Sequence, residues 1–248
     1  MNQIIMNNKT ALITGAAKRI GAAIATQLHS SGMNVVIHYN TSAKEAHELV
    51  RKLNGIRRDS AIMVQANLEH KEYYAALIDA SIDFKGGLDV LINNASAYYP
   101  TPLDSLADQQ WNELINTNLK APLFLSKLAA KSLRLNKGCI INITDIHANR
   151  PLSNHSIYSV SKAGLVMLTQ SLAKELAPGI RVNAISPGVI MWPEGLEEEK
   201  KSAILNETMM KRMGNVEDIT KAVLFLINDA DYITGQIINI DGGRTLYS

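Results

Sequence analysis

The chain has 248 residues, 25 Lys and Arg against 23 Asp and Glu, a formal net charge of +2, 46% hydrophobic residues and 5% aromatic ones. That balance is ordinary for a globular protein. It offers neither the clustered cation excess that grips a polyanion nor the rings that stack single strands, so nucleic acid is not an expected partner.

Met1 to Thr10 is polar and lacks the apolar core of a signal peptide, and no later apolar run nears the ~20 residues of a membrane span. A cytoplasmic chain with no membrane partner is expected. Thr10 to Thr14 reads as a first strand closed by Gly15. A helix follows Gly21, with Ile24 and Leu28 one turn apart, and stops at Ser31-Gly32. Val35 to Tyr39 is a strand, and Ser42 opens a charged amphipathic helix through Leu53. Ala61 to Ala66 reads as a strand, Lys71 to Ile82 as a helix ended by Gly86-Gly87, and Leu88 to Ile92 as a strand. Asp108 opens a long helix interrupted at Pro122. Cys139 to Ile143 is a strand, and its cysteine, alone in the chain, excludes an internal disulfide and a multi-thiolate metal site. Ser156 to Leu176 is a long helix stopped by Pro178-Gly179, Ile180 to Ile185 a strand, Asp218 to Ile227 a helix and Gln236 to Ile240 a last strand. Apolar strands alternating with helices predict an α/β fold: one Rossmann-type domain over 1–248, a doubly wound parallel sheet with helices on both faces. Glu194 to Lys201 is dense in Glu and Lys. Within a loop of about 188–212 it reads as a mobile substrate lid, or more plainly as a solvated face.

Between the first strand and first helix lies Thr14-Gly15-Ala16-Ala17-Lys18-Arg19-Ile20-Gly21. Gly15 permits a sharp turn, Gly21 a close helix approach, and the helix N-terminus offers free N–H groups to a pyrophosphate. Arg19 replaces the usual middle glycine of such loops. The second strand ends His38-Tyr39-Asn40-Thr41-Ser42 without the carboxylate that would pair with an NAD ribose. Those donors, with Lys18 and Arg19, suit the 2′-phosphate of NADPH. Further on, Tyr158 and Lys162 share one helix face. A lysine cation there is expected to lower the tyrosine pKa, so that the pair moves a proton while a hydride moves.

These residues resemble the short-chain dehydrogenase/reductases, through the Thr14-Gly15 loop, Asn93-Asn94-Ala95, Asn116-Thr117-Asn118, Tyr158 with Lys162, Ser186-Pro187-Gly188 and Asp241-Gly242-Gly243. The resemblance spans nearly the whole chain. It implies Tyr158 as acid/base, Lys162 on the nicotinamide ribose, Asn118 supporting a proton-relay water, and a homotetramer. It also implies cofactor contacts from Gly15, Lys18, Arg19, Ile20, His38 to Ser42, Asn67, Leu68, Asn94, Ala95, Ser96, Pro187 and Gly188.

Thirteen residues before Tyr158, where the family usually has serine, stands Asp145. A carboxylate repels the oxyanion of a reduced ketone but suits a ring presenting N–H donors. The alternative is that Asp145 caps a turn and Thr144 is the hydroxyl. The segment Asn94-Ala95-Ser96-Ala97-Tyr98-Tyr99-Pro100 resembles the pteridine reductases. That likeness implies Tyr98 stacking a pterin against the nicotinamide, with Arg19, Ser96, Asp145 and Tyr158 on the substrate. Asn67 stands where the family commonly has Asp, and its amide oxygen can still accept from the adenine amine. His147 and His155 read as loop residues, with no metal expected. The expected function is NADPH-dependent reduction of a dihydropterin or dihydrofolate-like ring. The alternatives are a ketone or 3-oxoacyl thioester reductase and, more remotely, a non-catalytic dinucleotide sensor.

Overall fold

The computed structural model describes residues 6–192 and 195–247. Seven parallel strands form one sheet in the order β3-β2-β1-β4-β5-β6-β7. They are β1 (Thr10–Ile13), β2 (Asn34–Tyr39), β3 (Ala61–Gln65), β4 (Val90–Asn93), β5 (Cys139–Ile143), β6 (Arg181–Pro187) and β7 (Ile237–Ile240). Parallel neighbours require crossovers, and these are supplied by α1 (Arg19–Ser30), α2 (Ala43–Ile56), α3 (Tyr74–Asp83), α4 (Asp108–Ile115), α5 (Ala121–Leu135), α6 (Ser156–Leu176), α7 (Glu198–Asn206) and α8 (Val216–Asn228).

Strand side chains alternate between the two faces, and the core divides accordingly. Ile13, Ile37, Ile92, Ile141 and Ile185 pack with Ile24 and Leu28 of α1, Leu53 of α2 and Val223 of α8. Leu12, Val36, Leu91, Ile140 and Val182 pack on the other side with Leu77 of α3, Leu125 and Leu133 of α5 and Leu172 of α6. Both faces are covered, which is why the strands carry apolar runs rather than alternating ones. The doubly wound architecture expected from the sequence is the one observed.

The boundaries differ locally. The helix expected from Lys71 begins as a 3₁₀ turn, Lys71–Tyr73, before α3. The break at Pro122 is a π turn, Asn116–Lys120, which inserts between α4 and α5 and leaves Pro122 in the first turn of α5, where its missing N–H costs nothing. The charged stretch after β6 contains α7, unrecognised because its apolar residues, Ala203, Ile204 and Leu205, are consecutive and mark no single face; Glu194 lies outside the described residues. No helix among the described residues is long and apolar enough to cross a membrane. The strand order reverses at β1 and β4, and a crevice opens at their C-terminal ends.

Candidate active site

The crevice is a cleft of about 830 Å³ lined from the loops after β1, β2, β3, β4, β5 and β6. Its floor is organised by Thr14, whose hydroxyl donates to the Ile92 carbonyl and accepts from the N–H groups of Asn94 and Ala95, each at 2.9 Å. Asn94 Nδ2 returns two bonds, to the carbonyls of Thr14 and Gly15. Gly15 has φ +61, and a Cβ there would lie 2.9 Å from the Ala95 Cα, so only glycine fits. A Cβ on Gly21 would lie 2.4 Å from the Gly15 carbonyl; the close approach it serves is to the loop itself. Arg19, at the glycine position, holds φ +53 and stands exposed on the cleft wall.

Some expected cofactor contacts need correcting. His38 is buried, not a surface donor: its Nδ1 accepts from the Gly15 N–H at 3.0 Å and its Nε2 pairs with the Ala66 carbonyl at 3.0 Å. Burial pulls its pKa down to about 4, so the ring is neutral. Tyr39 belongs to the core. Among the described residues, Tyr39, Thr41, Ser42 and Asn118 stand off the cleft walls. The Asn67 oxygen already accepts the Glu69 N–H. Lys18 lines the cleft but is ion-paired to Glu45 at 2.8 Å. Gly15, Arg19, Ile20, His38, Asn40, Asn67, Leu68, Asn94, Ala95, Ser96, Pro187 and Gly188 line it as expected.

At the other end, Asp145 joins two roles that the sequence left as alternatives. Its Oδ1 accepts the His147 N–H at 2.8 Å and caps a 3₁₀ turn, while its Oδ2 accepts from the Tyr158 hydroxyl at 2.7 Å. Thr144 is not the catalytic hydroxyl, because its buried Oγ1 donates to the Ile185 carbonyl. The Lys162 ammonium donates to the Ile143 carbonyl at 3.0 Å and lies 5.7 Å from the Tyr158 ring centre.

The electrostatics reverse the expectation for Tyr158. Burial first and the Asp145 carboxylate second push its phenol far above the ordinary range. Burial brings Lys162 down to about 8, against the pull of Asp145. A carboxylate in hydrogen-bond contact outweighs a more distant cation. The resting site is a neutral phenol donating to a carboxylate.

Asn118 is buried, and its side chain holds both the N–H and the carbonyl of Ala97 and donates to Ser161 Oγ. It positions the 96–98 loop. Tyr98 is 49% exposed, with its ring edge-on to Tyr158 and one face stacked on His155 at 4.9 Å and 19°. His155, read as a loop residue, is thus part of the aromatic wall, beside the bridge that joins it to Thr101. Glu69, Glu113 and Thr117 also line the cleft without having been singled out. Tyr99 donates to Glu113 at 3.0 Å and fastens the loop to α4.

A family model described as enoyl-(acyl carrier protein) reductase matches residues 15–245. The 3-oxoacyl-[acyl-carrier-protein] reductase FabG of Staphylococcus aureus is 37% identical over 240 residues, covering 95% of this chain and 97% of its own. The 3beta-hydroxysteroid dehydrogenase 1 of Eggerthella lenta is 36% identical, with 98% and 95% covered. Pteridine reductase 1 of Leishmania tarentolae is 35% identical, with 95% and 96% covered. The family model and these relatives each span nearly the whole chain, and the chain belongs to the short-chain dehydrogenase/reductase family of oxidoreductases.

Proposed function

We propose that the chain is an NADPH-dependent reductase of a pterin ring, taking a dihydropterin or dihydrofolate-like substrate to the tetrahydro form. The observation that carries this reading is the 2.7 Å bond from Tyr158 to the Asp145 carboxylate. A carboxylate only accepts, so the substrate must present donors. An aminopyrimidine edge does, whereas the oxyanion of a reduced ketone would face an anion of like charge.

The cleft suits a dinucleotide. The N-terminus of α1 has no side-chain cap, and the Gly15 turn is closed too tightly for a side chain. Arg19, Ile20 and the uncapped first turn would hold the pyrophosphate, Lys18 the 2′-phosphate, Asn67 and Leu68 the adenine, and Lys162 the nicotinamide ribose. When bound, the nicotinamide supplies a hydride to the ring carbon of a C=N bond. Tyr158 gives its hydroxyl proton to the nitrogen of that bond. The Lys162 cation offsets the like charge of Asp145 on the phenolate left behind, and water returns the proton. Tyr98, braced from behind by His155, offers its other face to the heterocycle, and Arg19 and Ser96 take its polar edge. Stacking supplies orientation, a large share of the rate gain.

A second reading has its own support. The first of the similar relatives are named 3-oxoacyl-[acyl-carrier-protein] reductases, so relatedness alone favours reduction of a 3-oxoacyl thioester over reduction of a pterin. The Asp145 geometry is what weighs the other way. NADPH oxidation followed side by side with dihydrobiopterin, dihydromonapterin, dihydrofolate and an acetoacetyl thioester decides between them. Turnover confined to pterins is expected. Turnover of the thioester alone overturns the proposal, and tight NADPH binding without turnover on the panel would mark a dinucleotide sensor.

A further inference from the structure

We propose that His38 is a positioning residue for the cofactor: a buried imidazole that ties the phosphate-binding turn to the adenine wall without touching the cofactor's phosphates. The inference rests on the dinucleotide reading of the cleft and is independent of whether the substrate is a pterin or a thioester.

Three elements meet at this one side chain. The Gly15 N–H donates to Nδ1 at 3.0 Å, and the next N–H, that of Ala16, donates to the His38 carbonyl at 2.8 Å. Both amides of the turn are thus held by one residue of β2. Nε2 faces the Ala66 carbonyl at 3.0 Å, immediately before Asn67 and Leu68 in the cleft wall. A carbonyl can only accept and an amide N–H can only donate, so the tautomer is fixed: Nδ1 is bare and Nε2 carries the proton. The ring is 2% exposed and both nitrogens are engaged, which leaves no donor for a phosphate. A leucine would fill much of the volume but strand a buried N–H on one side and a buried carbonyl on the other. A glutamine has a donor and an acceptor at one tip and can restore only part of the bridge.

The two elements joined would contact two parts of one ADP-ribose moiety, the pyrophosphate and the adenine. Their relative placement therefore governs affinity for the parts common to NADPH and NADH, and leaves the distinction between them alone. Nothing in the bridge reaches Tyr158, so chemistry at saturating cofactor is spared.

The test is direct binding of NADPH, NADH and ADP-ribose to wild type, His38→Leu and His38→Gln, by calorimetry, with turnover measured separately. His38→Leu is expected to weaken all three ligands by a common factor of roughly tenfold or more. Its kcat at saturating cofactor and its substrate KM should stay within about twofold of wild type, and His38→Gln should recover part of the affinity. ¹⁵N spectra of the wild-type imidazole should show an unprotonated Nδ1 and a protonated Nε2, a readout that stands even if His38→Leu does not fold. Unchanged affinities, a loss confined to NADPH, or a protonated Nδ1 overturns the inference. A wild-type protein that binds none of the three ligands refutes the dinucleotide reading instead.

Discussion

Asp145 uses its two oxygens at once, one on the His147 N–H and one on the Tyr158 hydroxyl, which a serine at that position cannot copy. Asp145→Ser removes the acceptor for a substrate N–H and supplies a donor for a carbonyl oxygen. Pterin turnover should fall by about 10²-fold or more, with turnover of an acetoacetyl thioester rising. Equal rates on both substrates before and after the change would remove Asp145 from the specificity argument. The rate should also report Lys162. Its pKa is lowered by burial from 10.5 to about 8, and its proposed role needs the cation. The kcat profile should therefore be level below about pH 8 and fall tenfold per pH unit above it, with no second limb from Tyr158, whose phenol is held far higher. In the unfolded chain Lys162 keeps its proton up to about 10.5, so between the two values the unfolded state binds more protons and this residue makes the fold more stable as pH rises. Loss of rate in that window is then chemistry, not unfolding, and a level kcat up to pH 10 would sink the assignment. Helix spacing sufficed to pair Tyr158 with Lys162, and the family resemblance set Asp145 beside them. The direction of the Tyr158 shift was not legible, because it depends on which charge touches the hydroxyl after the chain has folded.

At the scale of elements, α2 and the phosphate loop meet through Lys18 and Glu45, paired at 2.8 Å with both side chains about half exposed. A carboxylate missing from the end of β2 is thus found in the first turn of α2, where it would compete for Lys18 with the 2′-phosphate of NADPH. An exposed pair of this kind adds little stability. Glu45→Gln should leave the melting temperature unchanged but tighten NADPH by about two- to fivefold, with NADH unaffected and the gain shrinking as salt is added. Equal tightening of both cofactors, or none, would show that Lys18 does not serve the 2′-phosphate. The strands and helices themselves were readable, since apolar runs bounded by Gly, Pro and Ser leave few other choices: β5 and α6 begin and end where the sequence places them. What escaped were features set by contacts between distant elements. The π turn at Asn116–Lys120 puts the Asn118 side chain on the Ala97 peptide, a partner invisible in the local sequence. The burial of His38 likewise follows from β2 being flanked by β1 and β3, where a histidine near a strand end reads equally well as a surface residue.

Among the described residues, apolar surface lies uncovered on α5 and α6 and at the β7 edge of the sheet. On α5 and α6, Leu123, Phe124, Leu128, Val160 and Met167 are exposed, around a groove of about 430 Å³ lined by Ile115, Leu119, Gly164, Met167 and Leu168. A Cβ on Gly164 would lie 2.7 Å from Leu119, so this glycine lets α6 lie close against the π turn and shapes the groove. At the far edge of the sheet, β7 pairs among the described residues with β6 alone and its isoleucines are half-buried, and Phe225 of α8 is exposed. Contiguous apolar surface and an open strand edge both favour association. Two separate patches, each pairing with its own copy about a two-fold axis, close into a tetramer with dihedral symmetry. We propose that assembly, and it bears on catalysis because α6 carries Tyr158 and Lys162 inward and Val160 and Met167 outward. Met167→Asp sets an unpaired charge in the groove of each copy and should split the tetramer into dimers held through β7 and α8, with turnover per chain falling as α6 loses its outer support. Light scattering on eluting protein gives the masses. A wild type that is monomeric at micromolar concentration refutes the assembly outright. A Met167→Asp variant that keeps the tetrameric mass shows that the α5/α6 face is not one of its interfaces.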